Sequence, residues 1–401
     1  MTFYPLFGNS NDLQGELRKI GCDEKAISIL NKKFDIFPVK IIGMKTSLAN
    51  IVKQEMISCK GDAVVNEKTV SCTIEKTDVL LLGTESVYLN FFRKMEYQNS
   101  PALYELSKQL RKLLENYRSR IPVQKTRNNR SIIYSKPVIM GILNLTGDSF
   151  YDGGKYTDLD KALERCDEMI LEGADIIDIG AESTKPGSLP VSKEYEIEKI
   201  IPVVRELARR GDIVISVDTN KAEVAEEALS GGADIINDIS AMTFDPAMAD
   251  VVKRNDAIAV LMHIRGKPAD MQKDVHYDDI IRDVVMYFDE KVSLALDAGI
   301  FSERLIIDPG IGFGKRLEDN AALIKNISTF RKYGMPILLG ASRKSFIGYM
   351  QGRNAIPAPA DERLYGTLGI GAYSYIMGAD ILRVHDVKEH REMLNVLNSF
   401  K

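Results

Sequence analysis

Eight apolar runs in the second two thirds of this sequence end in side chains able to hold a small polar molecule. Asp218, Asn237 and Asp308 bring two carboxylates and an amide, acceptors suited to a flat heterocycle that presents amino and ring N–H donors with acceptors beside them. Arg383 and His385, with the loop after Asn144, bring donors for an anion, and Lys344 can serve either part. Taken singly these residues have plainer uses, since Asp218 and Asn220 suit a helix cap and Asp308-Pro309-Gly310 suits a turn. Taken together they are charges gathered in one place, where burial without partners is costly.

Gathering them requires a particular set of elements. Candidate strands are Val138 to Leu143, Asp175 to Ile179, Ile213 to Val217, Ile235 to Asn237, Ala257 to Met262, Leu305 to Ile307, Ile337 to Leu339 and Ile381 to Val384. They run apolar without alternation, as strands covered on both faces do, and a helical pattern follows each. Eight such units predict an α/β fold, a closed (β/α)8 TIM barrel over residues 136–401, with its active site at the carboxyl ends of the strands. An open doubly wound sheet is the alternative. Gly310-Ile-Gly-Phe-Gly-Lys315 imitates a phosphate loop but has Pro309 and Arg316 where that loop needs Gly and Ser or Thr. No nucleophile elbow or histidine-rich zinc set accompanies it.

Residues 1–117 read as a small mixed α/β domain preceding the barrel, with strands at Ile41 to Met44, Ala63 to Val65, Val70 to Ile74 and Val79 to Leu82. Thr46 or Ser47 would cap a helix there, and a leucine-rich amphipathic helix would end the unit. Holding no histidine, it reads as an interaction or stabilising module. Residues 118–135, with Arg120, Lys125, Arg127 and Arg130, lose apolar periodicity and read as a basic, solvated linker. The net charge of −4, with both signs spread along the chain, argues against nucleic acid and for small-molecule partners. Cys22, Cys59, Cys72 and Cys166 read as buried reduced thiols, and no run resembles a signal peptide or a membrane span. A cytoplasmic protein is expected.

Seven motifs in order, from Met140-Gly-Ile-Leu-Asn-Leu-Thr146 and Asp178-Ile-Gly180 with Glu182-Ser-Thr184, through Val217-Asp-Thr219, Ile236-Asn-Asp238 and Asp308-Pro-Gly-Ile-Gly-Phe-Gly314, to Ser342-Arg-Lys-Ser-Phe346 and Arg383-Val-His-Asp386, resemble the dihydropteroate synthase family of pterin-binding TIM barrels. The resemblance implies a folate-pathway transferase joining hydroxymethyl-dihydropterin pyrophosphate to para-aminobenzoate with Mg2+ assistance. By that likeness Asp218, Asn237, Asp308 and Lys344 hold the pterin, and Asn144 ligates Mg2+. Thr184, Arg383, Val384 and His385 line the diphosphate site, with the Arg383 guanidinium facing only the leaving group, and Phe150, Phe313 and Ser342 form the aminobenzoate pocket. Asn144, Lys344, Arg383 and His385 then carry the catalytic roles. The family also implies a homodimer.

Two departures concern loops expected to close over the site. Lys185 stands where Arg is usual, losing the planar fork, and Gly147 stands where Pro is usual, freeing the first loop. The competing readings are a methyltetrahydrofolate-corrinoid methyltransferase and a pterin-binding regulatory protein whose catalysis has lapsed.

Overall fold

Alternation decides what each barrel strand shows to the inside. The computed structural model describes residues 10–145, 158–183, 187–211, 213–352 and 356–400, which fall into two compact units, 1–114 and 115–401. In the first unit β1 (Ile36–Lys45), β2 (Asp62–Val65) and β3 (Lys76–Thr84) form an antiparallel sheet in the order β1-β3-β2. Its core joins Val39, Val79 and Leu81 of the sheet to Val52, Met56, Tyr88, Phe91, Leu103 and Leu110 of three helices. The unit is mixed α/β, as its sequence indicates, with two differences. Residues Val70 to Ile74 are not a strand, because the Ser71 and Thr73 hydroxyls turn back to the Lys68 carbonyl (3.1 and 3.4 Å) and Cys72 sits at φ 54°. Neither Thr46 nor Ser47 caps the helix Thr46–Ser58, and the Thr46 hydroxyl donates instead to the Ile74 carbonyl.

The second unit begins with a hairpin, β4 (Val123–Lys125) and β5 (Ser131–Ile133), where a solvated linker was expected. Arg120, Arg127 and Arg130 are used within the fold. Arg130 pairs with the fully buried Asp234 at 2.6 Å, Asn128 donates to the other oxygen of that carboxylate, and Arg127 donates to the Leu229 carbonyl at the end of the helix Ala222–Gly231. Ile132 and Tyr134 are buried with Val138, Met140, Ile176, Val214, Ile235, Ile258, Ile306, Leu338 and Ile381. The segment is the floor of the barrel.

Above that floor stand β6 (Val138–Asn144), β7 (Ile176–Gly180), β8 (Val214–Asp218), β9 (Ile235–Asp238), β10 (Ile258–Met262), β11 (Leu305–Asp308), β12 (Leu338–Leu339) and β13 (Ile381–Val384). All pair in parallel, in sequential order, and β13 returns to β6. A parallel bridge between Ile307 and Ile337 closes the ring, so the sheet is a (β/α)8 barrel and not an open doubly wound sheet. Ile139, Ile177, Ile215, Ile236 and Leu382 face the surrounding helices, while their neighbours Val138, Ile176, Val214, Ile235 and Ile381 face the axis. Two residues further along, the axis-facing series becomes Met140, Asp178, Ser216, Asn237 and Arg383.

Two of the four cysteines depart from expectation: Cys59 and Cys166 are buried, but Cys22 is half-buried and Cys72 exposed, and all four are free thiols. No helix among the described residues is long and apolar enough to cross a membrane.

A floor that carries core side chains predicts that Ile132→Ala lowers unfolding free energy in urea by about 2–5 kcal/mol. A loss within about 0.5 kcal/mol, the usual surface value, would restore the linker reading.

Candidate active site

The axis-facing series ends in charge because the barrel mouth is where its apolar filling stops. Asp178 is fully buried. One of its oxygens accepts from the Ser216 hydroxyl at 2.6 Å, and the other from Asn237 Nδ2 at 3.0 Å and Arg383 Nε at 2.6 Å. Arg383 reaches on with Nη2 to Asp218 Oδ2 at 2.7 Å. One guanidinium on β13 therefore spans acids on β7 and β8, and through Asp178 it fixes the amide on β9. Burial opposes the charge on Arg383, but the Asp178 and Asp218 carboxylates overcome that and hold it firmly protonated.

This geometry alters the expected division of roles. Two donors of Arg383 are engaged by carboxylates, so it does not face only a leaving group, and one oxygen of Asp218 is already taken. Burial pushes Asp218 up to about 7, against the lowering effect of Arg383 and with the help of the nearby Asp178 charge. Asp308 is buried and likewise raised by burial, its Oδ1 accepting from the Gly310 N–H at 2.7 Å. Lys344 is pushed down to about 7 by burial, which outweighs the attraction of Asp308. Its ammonium donates to the Ile311 carbonyl and lies 4.2 Å from the centroid of the Phe313 ring.

Across the mouth, Ser342 Oγ accepts from the His385 backbone N–H at 3.1 Å and lies 3.0 Å from the same residue's Nδ1. Burial, followed by the Arg383 charge, lowers His385 to about 4, so near neutral pH the imidazole is an uncharged donor. Val384 lies in the apolar core, which leaves only its backbone for a ligand. Asn144 closes β6 with its side chain exposed, level with Gly180 in the register. Thr184 and Phe150, together with Lys185 and Gly147, lie outside the described residues. Asp218, Asn237, Asp308, Lys344, Arg383, Phe313, Ser342 and His385 thus meet at one end of the barrel. Asp178, which joins Asn237 and Arg383 directly and Asp218 through Arg383, was missing from the expected site residues; in the sequence it is an acid inside the apolar run Ile176–Gly180, within the motif Asp178-Ile-Gly180.

The barrel unit is similar to known proteins. A family profile described as "Pterin binding enzyme" matches residues 140–385. The dihydropteroate synthase of Synechocystis sp. is 43% identical over 261 residues, 65% of this chain and 89% of that protein. That of Escherichia coli is 43% identical over 269 residues, 67% of this chain and 93% of the relative. The crystal structure of the Yersinia pestis dihydropteroate synthase with a sulfonamide drug complex superposes with a TM-score of 0.65 at 38% identity, covering 69% of this chain and 98% of that one. The Xanthomonas albilineans dihydropteroate synthase with 4-aminobenzoic acid gives 0.65 at 37% identity, covering 70% and 98%.

Asp178→Asn leaves one acceptor oxygen for three donors and removes the charge beside Arg383. Urea unfolding is expected to show a loss of about 3–5 kcal/mol, the cost of breaking a buried ion pair. Ser216→Ala should cost only about 1 kcal/mol, one neutral hydrogen bond. Equal effects would mean that Asp178 is held by packing and not by its pairing.

Proposed function

The chain belongs to the pterin-binding enzyme family and catalyses the dihydropteroate synthase reaction, a transfer joining hydroxymethyl-dihydropterin pyrophosphate to para-aminobenzoate with loss of pyrophosphate, and from that premise we propose how its residues divide the work. The buried array of Asp178, Arg383, Asp218 and Asn237 carries the assignment. Asn237 donates its N–H to Asp178, so its carbonyl oxygen is left to accept from a ligand. With Asp218 Oδ1 and Asp308, it forms an acceptor wall for the amino and ring N–H edge of the pterin. Lys344, beside Asp308, supplies the opposing donor.

When the bond from the pterin methylene carbon to pyrophosphate oxygen breaks, positive charge spreads from that carbon into the ring beside the Asp218 and Asp308 carboxylates. The leaving pyrophosphate takes the bonding pair. His385 offers it a neutral N–H, Val384 its backbone, and Arg383 the donor its carboxylates leave over. The aminobenzoate nitrogen then bonds to the carbon and gives up a proton to water, and no protein nucleophile is needed. Phe313 and Ser342, with Phe150, are assigned to the aminobenzoate side, and Thr184 to the diphosphate side.

Mg2+ is part of the proposal. This cation keeps several waters and takes one or two protein oxygens plus substrate phosphates. The exposed Asn144 amide at the strand end suits that mode, and among the described residues no group of three His, Cys, Asp or Glu side chains offers a full cage. When bound, Mg2+ would neutralise charge on the pyrophosphate. A homodimer is also proposed, supported by the exposed apolar stripe of Tyr365, Tyr373 and Ile376 on the helix Leu364–Met377. Sedimentation should give the mass of two chains, and a single-chain mass would remove the dimer.

The first test is pyrophosphate release with Mg2+, with and without aminobenzoate, following dihydropteroate by mass. Release that depends on aminobenzoate is expected. The pH dependence of pterin affinity then tests the roles. Asp218 gains its acceptor charge as pH rises through about 7, and Lys344 loses its donor charge over the same range, so affinity should peak near neutrality. Asp218→Asn should remove the acid limb and weaken free pterin binding by about 1.5–3 kcal/mol, one charge-assisted hydrogen bond. Unchanged affinity would contradict the assignment.

A further inference from the structure

Apart from the Phe313 ring, the turn Gly310 to Lys315 has no part in the roles assigned so far, yet its backbone is heavily tied. Four successive carbonyls each accept from a side chain: Ile311 from Lys344, Gly312 from Gln272 Nε2 at 2.8 Å, Phe313 from Lys315 Nζ at 3.0 Å, and Gly314 from the Tyr277 hydroxyl at 2.8 Å. On the N–H side, Gly310 donates to Asp308, Gly312 to Asn320 Oδ1 at 2.7 Å, and Phe313 to the Gly310 carbonyl. A surface turn normally leaves such groups to water. Here these seven groups find partners within the protein.

The packing is as strict as the bonding. A Cβ at Gly310 would lie 1.9 Å from the His263 carbonyl oxygen, and one at Gly312 would lie 3.0 Å from Lys344 Cδ, both at positive φ. Lys315 is buried, and its ammonium position is ringed by three acceptors, the Phe313 carbonyl, His263 Nδ1 at 2.8 Å and the His263 carbonyl at 3.2 Å. Burying a lysine away from any carboxylate contact is costly. What it secures is the peptide that carries the Phe313 ring.

We propose that Lys315 and Gln272 are positioning residues for the second substrate: by holding the Phe313 and Gly312 carbonyls they fix the Phe313 ring under Lys344, and so set the face against which aminobenzoate lies. This rests on the reading that Phe313 lines that side of the site. Neither residue touches substrate in this scheme. Each acts through the ring, where a misplacement of about 1 Å can cost up to about a hundredfold.

The test uses the full chain and three variants, Lys315→Met, Gln272→Ala and Phe313→Ala, measuring aminobenzoate KM, free-pterin Kd by calorimetry, and hydrogen exchange of the 310–314 amides. Lys315→Met and Gln272→Ala are each expected to raise aminobenzoate KM about tenfold and speed exchange in the turn, with pterin Kd within about twofold of the parent. Added to Phe313→Ala, either should do little more, since both act through the ring. Gln272 is exposed, so Gln272→Ala decides the matter if Lys315→Met does not fold. Should Phe313→Ala raise KM while Gln272→Ala leaves it unchanged, or should pterin and aminobenzoate suffer equally, the positioning role is overturned. If Phe313→Ala itself leaves KM unchanged, the placement of aminobenzoate fails, and this inference fails with it.

Discussion

One guanidinium holds the mouth of this barrel together. Arg383 contacts Asp178 and Asp218, and Asp178 in turn fixes Asn237 and Ser216. Four strands, β7, β8, β9 and β13, are thereby tied by side chains above the level at which apolar filling ends. A carboxylate buried as deeply as Asp178 is stabilised by a partner of opposite charge and by hydrogen bonds to both oxygens, because an unpaired carboxylate in a dry interior costs several kcal/mol. The array is therefore a condition of the fold as well as the start of the chemistry.

The remaining charges are less completely matched. Asp218 keeps one oxygen beyond the pair, and Lys344 answers Asp308 across a buried space while donating to a backbone carbonyl. Burial draws both Asp218 and Lys344 toward neutrality, from opposite directions. A ligand with donors on one edge and an acceptor on the other completes both sets of interactions, so the site selects by what it lacks. The tied turn at Gly310 to Lys315 serves a different purpose, turning a glycine-rich segment into a rigid wall.

Much of this could be read before any coordinates. Strands buried on both faces announce themselves as unbroken apolar runs, and residues at their ends stand out because polarity begins abruptly, which is why Asp218, Asn237, Asp308, Lys344 and Arg383 were recognisable. Asp178 was harder to see because it sits within its run, on the axis side two residues above Ile176, where only the alternation of the barrel gives it meaning. The hairpin at residues 123–133 escaped because three-residue strands carry no periodicity, and its arginines look solvated until Asp234 and the Leu229 carbonyl are placed beside them. The turn at Val70 to Ile74 was misread because β-branched side chains favour strands, while hydroxyl bonds to the local backbone compete with any ladder.

The floor hairpin has a consequence for how this chain can be divided. A catalytic fragment begun at Pro137, where the barrel motifs start, would expose Val138, Ile176, Val214 and Ile381 to water and strand Asp234 without Arg130. The seam between the two units therefore lies upstream of the basic segment, and the barrel unit carries its own base plate. Swapping that module, or grafting the barrel onto another protein, calls for a cut near residue 115, within the helix Pro101–Arg118 and not in a loop.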